Sequence, residues 1–199
     1  MSMPLHRLVY RLWQVRQQLG FVAPLSAEER AEVARWLPVS AISLYESMSV
    51  ADQRHALRVC RGLQAQGCTE KDLLAAALLH DVGKAGGRVP FWTRPGIVIG
   101  KRCFPRLLAR LAVYPSERAG QTIPRIASNK GPTIRSSPPS PLRMVMSWRR
   151  SLGYAWWHAE IGANLAAAAG LSERAVLYIR THHQSNGPAA ALHSVDEAS

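Results

Sequence analysis

The chain has 199 residues, of which 47% are hydrophobic and 19% charged, a composition typical of a globular protein rather than a disordered or fibrous one. One domain of this length can bury a hydrophobic core without disulfides or a structural metal. The longest apolar run, Leu73 to Leu79, is far shorter than the roughly 20 residues that a transmembrane helix requires. Arginines 7, 11 and 16 interrupt the N-terminal apolar pattern, so we do not expect a secretory signal peptide.

The three cysteines, Cys60, Cys68 and Cys103, are odd in number and show no CxxC spacing. This pattern argues against a disulfide framework and against a zinc knuckle. It fits a reducing compartment, and we therefore expect a cytoplasmic protein.

Apolar residues recur at three- and four-residue spacing along most of the chain, and no segment alternates as a β-strand does. The predicted fold class is therefore all-α, with a single helical-bundle domain over residues 1–199. In chain order, the predicted helices cover residues 5–19, 27–37, 40–48, 49–66, 70–82, 104–111, 155–169, 172–183 and 188–198.

Several predicted helices begin at recognisable capping residues. Ser26, with Glu29 three positions later, has the pattern of a capping box, while Thr69 and Ser172 precede two later helices. The helix predicted over 70–82 is apolar nearly all round, which is typical of a helix at the centre of a bundle.

The net charge of +12 is confined to one segment. Residues 85–150 contain 13 Lys and Arg and a single acid, Glu117, whereas the rest of the chain is balanced. Residues 114–147 of this basic insert are rich in Pro and Ser, which predicts a loop. Such a segment could contact nucleic acid or an anionic membrane surface. Because it has few aromatic residues to stack on bases, we favour a solvated loop without a partner.

Histidines and aspartates cluster in the balanced, helical part of the chain. The candidates are His55, the pair His80 and Asp81, His158, the pair His182 and His183, and Asp196. Imidazole and carboxylate donors together favour a divalent transition ion, whereas an all-oxygen set would favour Mg²⁺ or Ca²⁺. His80 and Asp81 end an apolar helix, where buried polar side chains need partners that a metal ion would supply.

Five segments carry a resemblance to a known family. They are DQRHAL at 52–57, LLAAALLHDVGK at 73–84, HAEIGANLA from His158, YIRTHHQ from Tyr178 and ALHSVDEAS from Ala191. Together they resemble the HD-domain metal-dependent phosphohydrolases, in which a His, then a His-Asp pair on a later helix, then a distant Asp bind the metal. The resemblance covers residues 1–90 and 150–199, with metal-site helices at 49–84 and 154–199, and leaves the insert unexplained.

The resemblance implies a role for each of these side chains. One ion would be held by His55, His80, Asp81 and Asp196, and a second by Asp81 as the bridge with His158 and His182. Asp81 would be central to catalysis, with His183 and Lys84 supporting the site or contacting phosphate. The cofactor would be one or two ions of Mn, Fe, Co, Ni or Zn. The reaction would be hydrolysis of a phosphate mono- or diester, such as a small phosphorylated nucleotide or related metabolite, by metal-activated water.

Each residue also has a simpler interpretation. His80 and Asp81 could be a hydrogen-bonded pair at a helix end, His158 a packed core residue, Asp196 a solvated terminal acid, and Lys84 a helix cap. Adjacent helical side chains diverge by about 100°, so we expect one of His182 and His183 to be a ligand and favour His182.

Two features of the sequence narrow the function. No GYP motif follows the double His, which does not support a cyclic-di-GMP phosphodiesterase of that subclass. No nucleotidyltransferase or synthetase domain accompanies the helices. The alternative to an enzyme is a regulatory HD module that holds metal without turnover and whose insert contacts RNA or an anionic membrane.

Overall fold

A computed structural model describes residues 22–85, 111–112 and 141–199, and at 141–148 and 150 it describes the backbone alone. Within these ranges the chain is all-α, as predicted, and contains no strand. The helices are α1 (Ala27–Trp36), α2 (Val39–Glu46), α3 (Val50–Ala65), α4 (Lys71–Leu79), α5 (Pro141–Ala168), α6 (Glu173–Thr181) and α7 (Ala190–Ala198), with a 3-10 turn at Val82–Lys84. The helix predicted at 5–19, and that at 104–111 apart from its last residue, lie outside the described residues.

Two of the helix starts follow the predicted caps. Ser26 caps α1 in the predicted capping box with Glu29, and the side chain of Ser172 accepts a hydrogen bond at the start of α6. Ser49, predicted as the first residue of its helix, is the capping residue of α3 instead. The prediction for Thr69 is wrong. The capping position of α4 is Glu70, and no side chain makes a capping hydrogen bond there.

Helix α4 ends earlier than the apolar pattern predicted. Its last residue is Leu79 rather than Val82, because the backbone of Asp81 (φ −99°, ψ 3°) leaves the α-helical region. The 3-10 turn that follows is closed by the amide of Lys84, which donates to the carbonyl of Asp81 at 2.9 Å. The turn brings the side chains of Asp81 and Lys84 close enough to form an ion pair.

Helix α5 begins much earlier than predicted. Residues 141–147 were expected to belong to a loop and order to return at 154, but α5 runs from Pro141. A proline fits the first turn of a helix, because its missing N–H has no partner there. The residues after Pro141 contain no further proline or glycine until Gly153, so nothing in the sequence opposes the helix.

Helix α4 lies at the centre of the described bundle, as its all-round apolar sequence predicted. Every residue from Leu73 to Leu79 is buried, and α4 packs against α3 on one side and α6 on another. Helix α5 packs on α6 and on the 3-10 turn, and α7 packs on α3. No helix within the described ranges is both long and apolar enough to cross a membrane.

Candidate metal centre

Three elements that are distant in sequence bring together the first set of candidate ligands. His55 comes from α3, His80 follows the last residue of α4, and Asp196 lies on α7, 141 positions after His55. One donor atom from each lies within 4.8 Å of the others, and we call this set the carboxylate group. The Nε2 atom of His55 is 2.8 Å from Oδ1 of Asp196, and Nε2 of His80 is 3.5 Å from the same oxygen.

The second set consists of imidazoles alone. His158 lies on α5, and His182 and His183 follow the last residue of α6; their donor atoms also lie within 4.8 Å of one another. We call this set the three-histidine group. The Nε2 atoms of His158 and His183 are 2.9 Å apart. Both members of the double His therefore bring a donor atom close to His158. The divergence expected of adjacent helical side chains does not separate them, because both residues follow the last residue of α6.

Asp81 lies between the two groups. Its Oδ1 is 3.8 Å from Nε2 of His80 in the carboxylate group and 3.6 Å from Nε2 of His158 in the three-histidine group. The same oxygen accepts from Nζ of Lys84 at 2.6 Å. Asp81 therefore contacts one histidine of each group as well as Lys84. The partner of the Lys84 ammonium here is thus Asp81, and its contact with phosphate stays a prediction.

Backbone carbonyls orient three of the histidines in the same way. The Nδ1 atoms of His80, His158 and His182 lie 2.7–3.0 Å from the carbonyl oxygen of the residue three positions earlier. A carbonyl can only accept, so Nδ1 carries the proton in each ring. Nε2 is then the nitrogen that faces the interior, which is the usual arrangement of a histidine that binds a metal.

Two of these inward nitrogens make no hydrogen bond in the part of the chain that the structure describes. Nε2 of His182 and Nε2 of His80 are both fully buried, and Oδ1 of Asp196 and Oδ1 of Asp81 lie 3.5 Å and 3.8 Å from the Nε2 of His80. A buried polar atom without a partner costs on the order of 1–3 kcal/mol. One divalent ion in each group would satisfy both atoms. The donor separations of 2.8, 2.9 and 3.5 Å are within about 0.2 Å of the roughly 3.0–3.4 Å that separates ligands about 2.1 Å from an ion in octahedral or tetrahedral sites.

Burial keeps two members of the three-histidine group neutral. It is the main cause that lowers the pKa of His182 to about 3, with the neighbouring His183 and His80 acting in the same direction. Burial, together with the charge of Lys84, likewise holds the pKa of His158 well below its usual value. Neutral imidazoles offer a lone pair to a cation at neutral pH.

The acids of the site are ionised. Burial opposes the ionisation of Asp81, but Lys84 and His80 outweigh it and hold its pKa well below the usual value. Burial also opposes the ionisation of Asp196, but the contacts with His55 at 2.8 Å and His80 at 3.5 Å outweigh it and hold the pKa of Asp196 below its usual value. For His80 the balance is reversed, because Asp81 and Asp196 raise its pKa more than burial lowers it.

A close backbone approach places His158 beside Asp81. A Cβ on Gly83, in the 3-10 turn, would overlap the carbonyl oxygen of His158, so only glycine allows α5 to lie this near the turn. The sequence argument treated Gly83 only as part of a motif and missed this contact. It also missed the carbonyls that orient the histidines, since any residue type can supply a backbone carbonyl.

All the predicted site residues lie in one region of the fold. The eight side chains are His55, His80, Asp81, Lys84, His158, His182, His183 and Asp196. Comparison of the chain with protein-family models, with curated proteins and with solved structures found no match in any of the three. The chemistry of the site is therefore argued from its own geometry.

Proposed function

We propose that this chain is a metal-dependent phosphohydrolase of the HD-domain type, acting on a phosphate mono- or diester such as a nucleotide or related metabolite. The observation that carries the proposal is the convergence of the two groups on Asp81, whose Oδ1 lies 3.8 Å from Nε2 of His80 and 3.6 Å from Nε2 of His158. The buried Nε2 atoms of His80 and His182, which make no hydrogen bond among the described residues, support it, because a buried polar nitrogen gains free energy from a partner and a metal ion would be one.

The donor set supports a transition ion. Five imidazoles and two carboxylates match the preferences of Mn, Fe, Co, Ni or Zn better than those of Mg²⁺ or Ca²⁺. The carboxylate group with Asp81 would hold one ion, and His158 and His182 with Asp81 would hold a second. An ion in such a site lowers the pKa of water toward neutrality and neutralises charge on phosphoryl oxygens.

The chain's own residues prepare the site for this chemistry. Lys84 offsets the charge of Asp81 and adds a cation at a half-buried position, with 25% of its side chain exposed, where a phosphate oxygen could reach it. Since Nδ1 of His158 donates to a carbonyl, its Nε2 accepts, and His183 carries the Nε2 proton between the two rings. His183 is therefore placed to hold a proton at the edge of the three-histidine group.

Turnover of simple esters tests the proposal. Protein reconstituted separately with Mn, Fe, Co, Ni and Zn would be assayed on p-nitrophenyl phosphate, bis-p-nitrophenyl phosphate and nucleotides. We expect metal-dependent hydrolysis that Asp81→Ala and His80→Ala reduce by at least about 1,000-fold, since the metal ligands act as a unit. Circular dichroism would show whether each variant remains folded.

His193→Ala is the matched control, because His193 lies on α7 outside both groups and its replacement should leave turnover unchanged. Hydrolysis that persists in folded Asp81→Ala and His80→Ala would overturn the proposal. Protein that binds metal but hydrolyses none of the esters with any of the five ions would favour the regulatory HD module instead.

A further inference from the structure

We propose that Gly62 is a positioning residue for Asp196, because the absence of a side chain at Gly62 lets α7 lie close enough to α3 for Asp196 to reach His55. The inference rests on the proposed metal function, in which Asp196 is a ligand. Asp196 lies on α7, a nine-residue helix that packs on α3, so its position depends on how α7 is held against α3.

The contact between the two helices is unusually close. A Cβ built on Gly62 would lie 2.5 Å from Cγ1 of Val195, the residue just before Asp196. Separations below 3.0 Å essentially never occur for real Cβ atoms, so an alanine at this position would require α7 or the valine to move. Valine has one strongly preferred side-chain rotamer in a helix, so rotation of Val195 is itself unfavourable.

The close contact and the ligand pair share one interface. His55 and Gly62 are seven positions apart on α3, which is about two helical turns, and so they lie on the same face. Val195 and Asp196 are neighbours on α7. Displacement of Val195 away from α3 would therefore carry Asp196 away from His55, to which it is bonded at 2.8 Å.

Glycine at this position is not explained by backbone conformation. The only described glycines with positive φ are Gly67 and Gly170, so Gly62 has a conformation that any residue can adopt. Inside a helix, glycine is less favourable than every residue except proline. The close approach of α7 is what the missing side chain provides.

A double-mutant cycle tests this role. Cobalt affinity would be measured for the wild type, Gly62→Ala, Val195→Ala and the double variant, with Asp196→Asn as the benchmark for loss of the ligand. We expect Gly62→Ala to weaken cobalt binding about 10- to 100-fold when Val195 is present, as loss of a supporting contact does. Val195→Ala removes the Cγ1 atom that the new methyl at position 62 would meet. In that background, we therefore expect Gly62→Ala to change cobalt affinity by less than about 2-fold.

A general packing defect would not show this rescue. If Gly62→Ala binds cobalt as the wild type does, or weakens binding equally with and without Val195→Ala, the positioning role is overturned. If Gly62→Ala folds poorly, the double variant decides the cause. It should recover both the fold and the cobalt affinity if the contact between the new methyl and Val195 is responsible.

Hydrogen exchange of the metal-free protein provides a readout that needs no bound ion. We expect the α7 amides to exchange at least about 10-fold faster in Gly62→Ala than in the wild type, and the same substitution to have little effect on a chain that already carries Val195→Ala. Unchanged exchange would overturn the inference. Wild-type protein that binds no cobalt would contradict the proposed function, while exchange would still decide whether Gly62 positions α7.

Discussion

The two groups of the candidate centre differ in charge and in what holds them. The carboxylate group pairs an ionised Asp196 with His55 and with His80, whose pKa is raised. The three-histidine group has no acid of its own, and burial keeps His158 and His182 neutral. Without an ion, an internal ion pair with Asp196 partly stabilises the carboxylate group. The three-histidine group brings imidazole nitrogens close together, and Asp81 is its nearby anion.

The two groups also depend on different contacts between helices. His158 is set by the approach of the α5 backbone to Gly83, which involves main-chain atoms. Asp196 is set by the approach of a side chain, Val195, to Gly62. The comparison indicates that the position of His158 depends on how α5 packs on the 3-10 turn, while the position of Asp196 depends on how α7 packs on α3.

Loss of a single ligand should distinguish the groups. We expect Asp196→Asn and His182→Asn each to weaken one bound ion by more than about 100-fold and to leave the other nearly unchanged, because each residue serves one group only. Isothermal titration with cobalt, together with the number of ions bound per chain, measures this. If either variant removes all bound metal, a single ion is shared, and the division into two groups is wrong.

Alanine at Gly83 tests the backbone contact. We expect Gly83→Ala to lower the free energy of unfolding by about 1–3 kcal/mol, because the new methyl would overlap the carbonyl of His158. Gly162→Ala is the matched control at the same interface, where the nearest atoms would be 3.3–3.5 Å away. Urea denaturation of both variants measures the difference. Equal stability of the two would show that α5 is not constrained at Gly83.

The pH dependence of stability should have opposite signs in the two groups. The unfolded chain protonates His182 near pH 6.5 and the folded chain only near pH 3, so this residue makes the metal-free protein less stable as the pH falls below 6.5. The slope is at most about 1.4 kcal/mol per pH unit for one proton. His80, with its raised pKa, contributes stability that is present at low pH and is lost as the pH rises above its usual value.

Unfolding in urea with EDTA between about pH 4.5 and 6.5 measures the contribution of His182, because its folded and unfolded forms differ in protonation across that window. We expect the stability of His182→Asn to fall less steeply with decreasing pH than that of the wild type. If the free energy of unfolding depends on pH identically in the two proteins, His182 is not held neutral by burial. The two groups would then not differ in charge as described.

The sequence was sufficient to predict the residue types of the site. His80 and Asp81 end an apolar helix, and the local motifs around His55, His158 and Asp196 were visible without any knowledge of tertiary contacts. Local signals also predicted the caps at Ser26 and Ser172, since capping depends on residues three positions apart.

Features that depend on contacts between distant segments were not predictable. The closeness of Gly62 to Val195 arises only when α7 packs on α3, and nothing in the local sequence indicates it. The early start of α5 at Pro141 was missed because Pro141 is itself the last residue of the SSPPSP run at 136–141, and a proline that opens a helix looks like the prolines of a loop. The meeting of His182 and His183 with His158 likewise follows from the packing of α6 on α5.

The metal content of the protein tests the central claim most directly. Wild-type protein and Asp81→Ala would be reconstituted with Mn, Fe, Co, Ni or Zn, freed of unbound ions and measured by inductively coupled plasma mass spectrometry. The account predicts about one or two ions per chain in the wild type and a clear loss in the variant, because Asp81 lies between both groups. Wild-type protein that retains no ion, or Asp81→Ala that retains as many, would contradict it.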